Sequence, residues 1–100
     1  MAKTFAELEQ ATEVAGTELL ESFRDYAEGG WAVLGRVVNG IVDRASALTK
    51  EDLQECLRLA EVGAETQLRV CDKQKTKEKE SDEYRQVANH VRARLASLEN

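Results

Sequence analysis

The stretch Trp31-Ala-Val-Leu-Gly-Arg-Val-Val-Asn-Gly-Ile-Val-Asp-Arg-Ala-Ser-Ala-Leu48 decides the fold class, because it can be read in two ways. Trp31, Leu34, Val38, Ile41, Ala45 and Leu48 recur every three or four residues, the spacing that gathers side chains on one face of a helix. The inner segment Val37-Val-Asn-Gly-Ile-Val42 is also a hairpin signal, since Asn-Gly accommodates the positive φ angles of a type I′ turn. A lone two-stranded hairpin is marginal in water, and no other segment alternates to extend it into a sheet. The helical reading is therefore preferred, with a hairpin over residues 36–43 as its alternative. Gly35 and Gly40 are expected to leave the helix bent, or broken near Asn39.

Outward from this stretch the pattern is helical. Towards the N-terminus, Thr4-Phe-Ala-Glu7 has the form of a capping box, in which the threonine hydroxyl accepts from the amide three residues on and Glu7 reaches back. Phe5, Leu8, Thr12, Ala15, Leu19, Phe23 and Tyr26 then make one stripe, which predicts a single helix over roughly 4–28. Gly16 weakens its middle by about 1 kcal/mol relative to alanine, and Gly29-Gly30 stops it. Towards the C-terminus, Thr49 with Asp52 makes a second capping box, and Leu48 with Leu53 a hydrophobic staple. The helix they start carries Leu53, Leu57, Ala60, Ala64, Leu68 and Cys71 on one side, with Cys56 on the flank. Leu59, Val62, Thr66 and Val70 form a second row, so this helix is either central in the fold or exposes an interface. A last helix, from about Asp82, presents Tyr84, Val87, Ala88, Val91, Leu95 and Leu98 on one face. Before it, nine of the twelve residues from Asp72 to Glu83 are charged. As a helix that run would stack Lys73 on Lys77, Lys75 on Lys79 and Glu78 on Asp82, so a solvated connector is expected at about 72–82. The expectation is one all-α domain over residues 1–100, a compact bundle of about four amphipathic helices.

Composition narrows the function classes. The 100 residues are 42% hydrophobic and contain no proline, too apolar for full disorder and suited to helices. The longest apolar run is Trp31-Ala-Val-Leu34, so no segment is expected to span a membrane, and the N-terminus lacks a signal peptide's apolar stretch. A cytoplasmic protein is the expectation. Cys56 and Cys71, on one helix, would lie about 22 Å apart, beyond disulfide reach. His90 is the only histidine, which excludes the usual two-histidine zinc sets. No glycine loop carries the lysine and hydroxyl of a phosphate cradle. A non-enzyme without metal or cofactor is therefore expected, with His90 as a partly exposed flank residue.

Charge placement supplies the best lead to function. Nineteen acidic residues against fourteen Lys and Arg give a net charge of −5, which argues against nucleic acid as the direct ligand. Residues 1–28 hold seven acids against Lys3 and Arg24, so that segment alone carries the equivalent of the whole net charge. On a helix, Glu7, Glu18, Glu21, Asp25 and Glu28 share a sector away from the apolar stripe, either as a plain solvated face or as a docking ridge for a basic partner. Trp31 beside Gly29-Gly30 is either a core anchor or an interface hot spot. Glu18, Glu21, Asp25, Glu28 and Trp31 are the candidate partner-binding residues.

In size, helicity and acidity the chain resembles the small inhibitors made by phages and mobile elements. Among these it is most similar to the anti-CRISPR proteins directed at type I surveillance complexes. The segments that prompt this are Thr17-Glu-Leu-Leu-Glu-Ser-Phe-Arg-Asp-Tyr-Ala-Glu28 and the turn Gly29-Gly-Trp31. Because those inhibitors share no common motif, no residue role is carried over. The resemblance implies stoichiometric binding to a Cas subunit that blocks nucleic-acid recognition without chemistry. The chain itself is expected to be a monomer or dimer, a monomer being simplest for an inhibitor. Two other readings stand beside it. Leu57-Arg-Leu-Ala-Glu-Val-Gly-Ala-Glu-Thr-Gln-Leu-Arg69 followed by Lys73, Lys75, Lys77 and Lys79 is reminiscent of ring-forming phage DNA-packaging adaptors. A homodimeric scaffold paired through the third helix is the other.

Overall fold

In a computed structural model, which describes residues 3–70 and 72–99, the deciding stretch is helical. Helix α3 spans Gly35–Arg44 and buries Val38, Ile41 and Val42 completely on one face. Burial of that face outweighs the local Asn-Gly turn preference, and Gly40 lies on the open side with nothing within 4 Å of where a Cβ would stand. No hairpin forms over 36–43, and the helix is shorter than the apolar period suggested: Trp31 to Leu34 precede it.

The single helix expected over 4–28 is instead two. Helix α1 is Phe5–Gln10 and helix α2 is Gly16–Gly29. The break lets Val14 turn into the core and pair in parallel with Ala45, and Ala15 with Ser46, as two-residue strands β1 (Val14–Ala15) and β2 (Ala45–Ser46). Thr12 and Ala15, expected in the apolar stripe, are exposed. Gly16, expected as a mid-helix weak point, opens α2, where an added Cβ would sit 3.1 Å from Leu48 Cδ2. Ending α1 early strands its last carbonyls. Arg44 recovers them: its guanidinium donates to the carbonyl oxygens of Leu8 at 3.0 Å, Glu9 at 3.1 Å and Ala11 at 2.7 Å. Thr4 caps α1 as expected, the Glu7 amide donating to Thr4 Oγ1 at 3.2 Å, but the Glu7 carboxylate accepts from the Thr4 hydroxyl at 3.3 Å and not from its amide.

Helix α4 (Lys50–Val70) opens on the expected box: the Asp52 amide donates to Thr49 Oγ1 at 3.1 Å, and the Thr49 amide to Asp52 Oδ2 at 3.0 Å. Its buried face lies between the two rows read from the sequence. Leu53, Cys56, Leu59, Ala60, Gly63, Ala64, Thr66 and Gln67 are buried, whereas Leu57 is half-buried and Leu68 and Val70 face solvent. Cys71, and with it the expected cysteine separation, lies outside the described residues. Helix α5 (Gln74–Glu99) absorbs the expected connector, leaving a short turn after α4. Like-charged neighbours cost only about 0.2–0.5 kcal/mol each in a helix. Packing of Tyr84 against Gly63 of α4 outweighs that and propagates the helix N-terminally.

One ring joins these parts. Tyr84 is fully buried and lies across Gly63, so close that a Cβ there would sit 2.3 Å from Tyr84 Cε1. Its ring stacks on Phe23 with centroids 6.2 Å apart, and Phe23 meets Phe5 edge-on at 6.0 Å. The apolar cluster thus runs from α1 through α2 and α4 to α5. A Cα radius of gyration of 12.8 Å matches the ~13 Å of a compact 100-residue domain. The protein is an all-α bundle, with five helices among the described residues.

Two substitutions test this packing by urea denaturation. Gly63→Ala should destabilise by about 2 kcal/mol or more despite alanine's better helix propensity, because the methyl collides with the buried ring. Arg44→Ala should cost about 1–3 kcal/mol by leaving the α1 carbonyls unpaired, and Arg44→Lys should recover only part, since an ammonium cannot span three acceptors as a planar fork does.

Candidate protein-docking surface

Helix α2 buries Leu19, Ser22, Phe23 and Ala27, and this places Glu21, Asp25 and Glu28 together on the solvent side at one-turn spacing. The arrangement is locally unfavourable. Glu21 and Asp25 repel at i,i+4, and Glu28 sits in a last turn that has no basic residue against the negative end of the helix dipole. Sequence choices that oppose local stability are those to inspect for function.

The predicted ridge survives in part. Glu7 is separated from it on α1. Glu18 pairs with Lys3 at 3.2 Å, and Glu28 lies 3.8 Å from Arg58. Arg58 is held chiefly by Glu55, to which its Nε donates at 3.0 Å, while Arg24 reaches Glu55 at 4.0 Å. The Arg58 hydrogen bond, opposed by burial and helped by the Arg58 and Arg24 charges, keeps the Glu55 carboxyl below its ordinary value. Glu21 and Asp25 are exposed and form no ion pair among the described residues. Exposed pairs such as those of Glu18 and Glu28 are worth about 0–1 kcal/mol, so a partner's cations can replace them at little cost.

Trp31 stands at the end of this row and is 66% exposed, an interface candidate and not a core anchor. The Gly29-Gly30 stop is as read from sequence. Gly30 adopts φ 77°, and the amides of Gly30 and Trp31 both donate to the Tyr26 carbonyl, the latter at 2.9 Å. The segment after it is clamped twice by α5. The Tyr84 hydroxyl donates to the Trp31 carbonyl, and the Gly35 amide at the start of α3 donates to the Glu83 carboxylate. Leu34, the N-cap of α3, offers no side-chain acceptor, so Glu83 fills that role from another helix. Burial, then the charges of Glu80 and Tyr26, push the Tyr84 phenol well above its ordinary range, which keeps it a donor. Neither clamp was legible in the sequence, because each joins residues about fifty positions apart.

Elsewhere among the described residues, one titratable cluster joins α3 to α5. His90 Nε2 lies 2.7 Å from Asp43 Oδ1, which also accepts from Arg94 at 3.1 Å, and no hydroxyl or thiol joins them among the described residues. Burial alone would raise the Asp43 carboxyl, but the His90 hydrogen bond and charge, then those of Arg94, hold it below its usual value. Burial, then the Asp52 and Glu55 charges, push the Cys56 thiol up to about 12, so it packs as an inert thiol. No group of His, Cys, Asp and Glu suited to a metal ion, and no helix long and apolar enough to cross a membrane, occurs among the described residues. No protein family, curated protein or solved structure matches the chain.

The Asp43 cluster predicts a pH dependence. A carboxyl lowered in the folded state contributes stability that is complete above its unfolded value, about 3.9, and is lost as pH falls through the folded value. Asp43→Asn should therefore lose less stability than the parent between about pH 5 and about pH 2. Parallel losses, read from urea midpoints, would show that the cluster contributes nothing.

Proposed function

We propose that the protein is a non-catalytic inhibitor that docks on a basic surface of a protein partner through the α2 carboxylates and Trp31. In keeping with its resemblance to type I anti-CRISPR proteins, the partner is a Cas surveillance-complex subunit in the bacterial cytoplasm. The carboxylates occupy lysines and arginines that would otherwise hold nucleic-acid phosphates. One observation carries this reading: Glu21 and Asp25 form an exposed acidic row without ion pairs among the described residues, and it leads directly to an exposed tryptophan. The carboxylates supply steering and register, and the indole supplies apolar area of the kind that dominates binding hot spots.

The test is target-duplex retardation by a purified type I surveillance complex. Added protein should abolish target binding stoichiometrically. Glu21→Lys combined with Asp25→Lys should weaken that effect tenfold or more, with helical circular dichroism unchanged. A complex that binds its target normally in the presence of the protein refutes the reading, as does retardation of duplex by the protein alone. Size-exclusion with light scattering separates the remaining candidates: a ring indicates the packaging adaptor and a dimer the scaffold.

A further inference from the structure

Three of the large exposed apolar side chains gather where α2 ends and α3 begins. Trp31 is 66% exposed, Leu34 54% and Val70, at the end of α4, 56%. Two of them meet at the turn: Trp31 lies over Gly29, its Cδ1 2.8 Å from where a Cβ would stand, while Val70 Cγ2 is 3.3 Å from the equivalent position at Gly30; Leu34 follows three residues after Trp31. Beside them Ala32, Val33 and Leu34 floor a groove of about 330 Å³ rimmed by Lys79, Glu80 and Glu83. Scattered apolar residues need no explanation, but exposed apolar side chains at one end of the bundle beside a concavity mark a contact surface.

Charge chooses among the surfaces that could cover it. Glu21, Asp25 and Glu28 lead up to the patch over about 10 Å of helix. Anionic lipid headgroups and nucleic acid would be repelled by this row, whereas cations on a protein partner would be attracted to it. We propose that the apolar end around Trp31, Leu34 and Val70 receives a basic amphipathic helix of the partner. That helix lays its apolar residues over the Gly29-Gly30 turn and the Leu34 groove, and its lysines or arginines along Glu21, Asp25 and Glu28. One-turn spacing on α2 matches the i, i+4, i+7 spacing of cations on such a helix. The proposal rests on the basic-partner reading above and specifies the partner's shape.

Trp31 is the only tryptophan in the chain, so its emission reports this surface alone. The probes are two tryptophan-free synthetic peptides of equal length and charge. One is a lysine/leucine sequence with the leucines on one helical face, and in the other glutamine replaces every leucine. The leucine peptide should produce a saturable blue shift, weakened tenfold or more both by Leu34→Ser with Val70→Ser and by Glu21→Lys with Asp25→Lys. Circular dichroism confirms that each variant folds. Three results would overturn the proposal: no shift with the leucine peptide, an equal shift with the glutamine peptide, or a shift with protein concentration alone, which would mean that a second copy covers the patch. Failure here, with charge reversal still relieving inhibition of the surveillance complex, removes the helix and leaves the inhibitor reading standing.

Discussion

The bundle is organised by the contact of the Tyr84 ring with the bare backbone of Gly63. Two long helices can approach this closely only if one lacks a side chain at the crossing, and α4 supplies that gap in the middle of its buried face. The ring that fills it also stacks on Phe23, which fixes α2 against the α4–α5 pair, and its hydroxyl reaches the Trp31 carbonyl. A single side chain therefore sets the spacing of three helices and the course of the segment that leads into α3. The rest of the core packs around that arrangement.

The site inherits its rigidity from the same place. Glu83 and Tyr84 are adjacent on α5, and each holds one end of the Trp31–Gly35 segment. An exposed tryptophan on a free loop would lose conformational entropy on binding. One whose carbonyl and following helix start are already tied to the core loses less, which favours affinity at a given contact area. The carboxylates of α2 are fixed in the same way, by a helix whose opposite face is fully buried at Leu19 and Phe23.

The all-α class was legible because apolar periodicity survives in the helices, and both threonine N-caps were legible because they are local. Three errors share a cause. Residues 4–28 carry an unbroken stripe, yet the chain breaks because Val14 gains more from burial beside Ala45 than from continuing the helix. The charged run at 72–82 reads as a connector, yet packing of Tyr84 against Gly63 extends the helix through it. Trp31 falls on a helical period, yet Leu34 and Gly35 begin the helix after it. In each case the deciding interaction, Val14 with Ala45, Tyr84 with Gly63 or Glu83 with Gly35, is non-local, and Gly63, whose only sign is a missing side chain, stands out in no pattern. The acidic face was visible because charge at one-turn spacing is a local property; which carboxylates would find partners was not.

Arg44 has a consequence for how the molecule opens. Helix α1 has six residues, far too few to persist alone, and its C-terminal carbonyls are closed by a side chain from the last turn of α3. The β1–β2 pairing ties the same two regions immediately downstream. Fraying at the N-terminus and loosening of the α3 end are thus one event and not two. Arg44 and the strand pair couple α1, β1, β2 and the end of α3 through polar contacts, beside the packing of Phe5 on Phe23 and Tyr26 that joins α1 to α2.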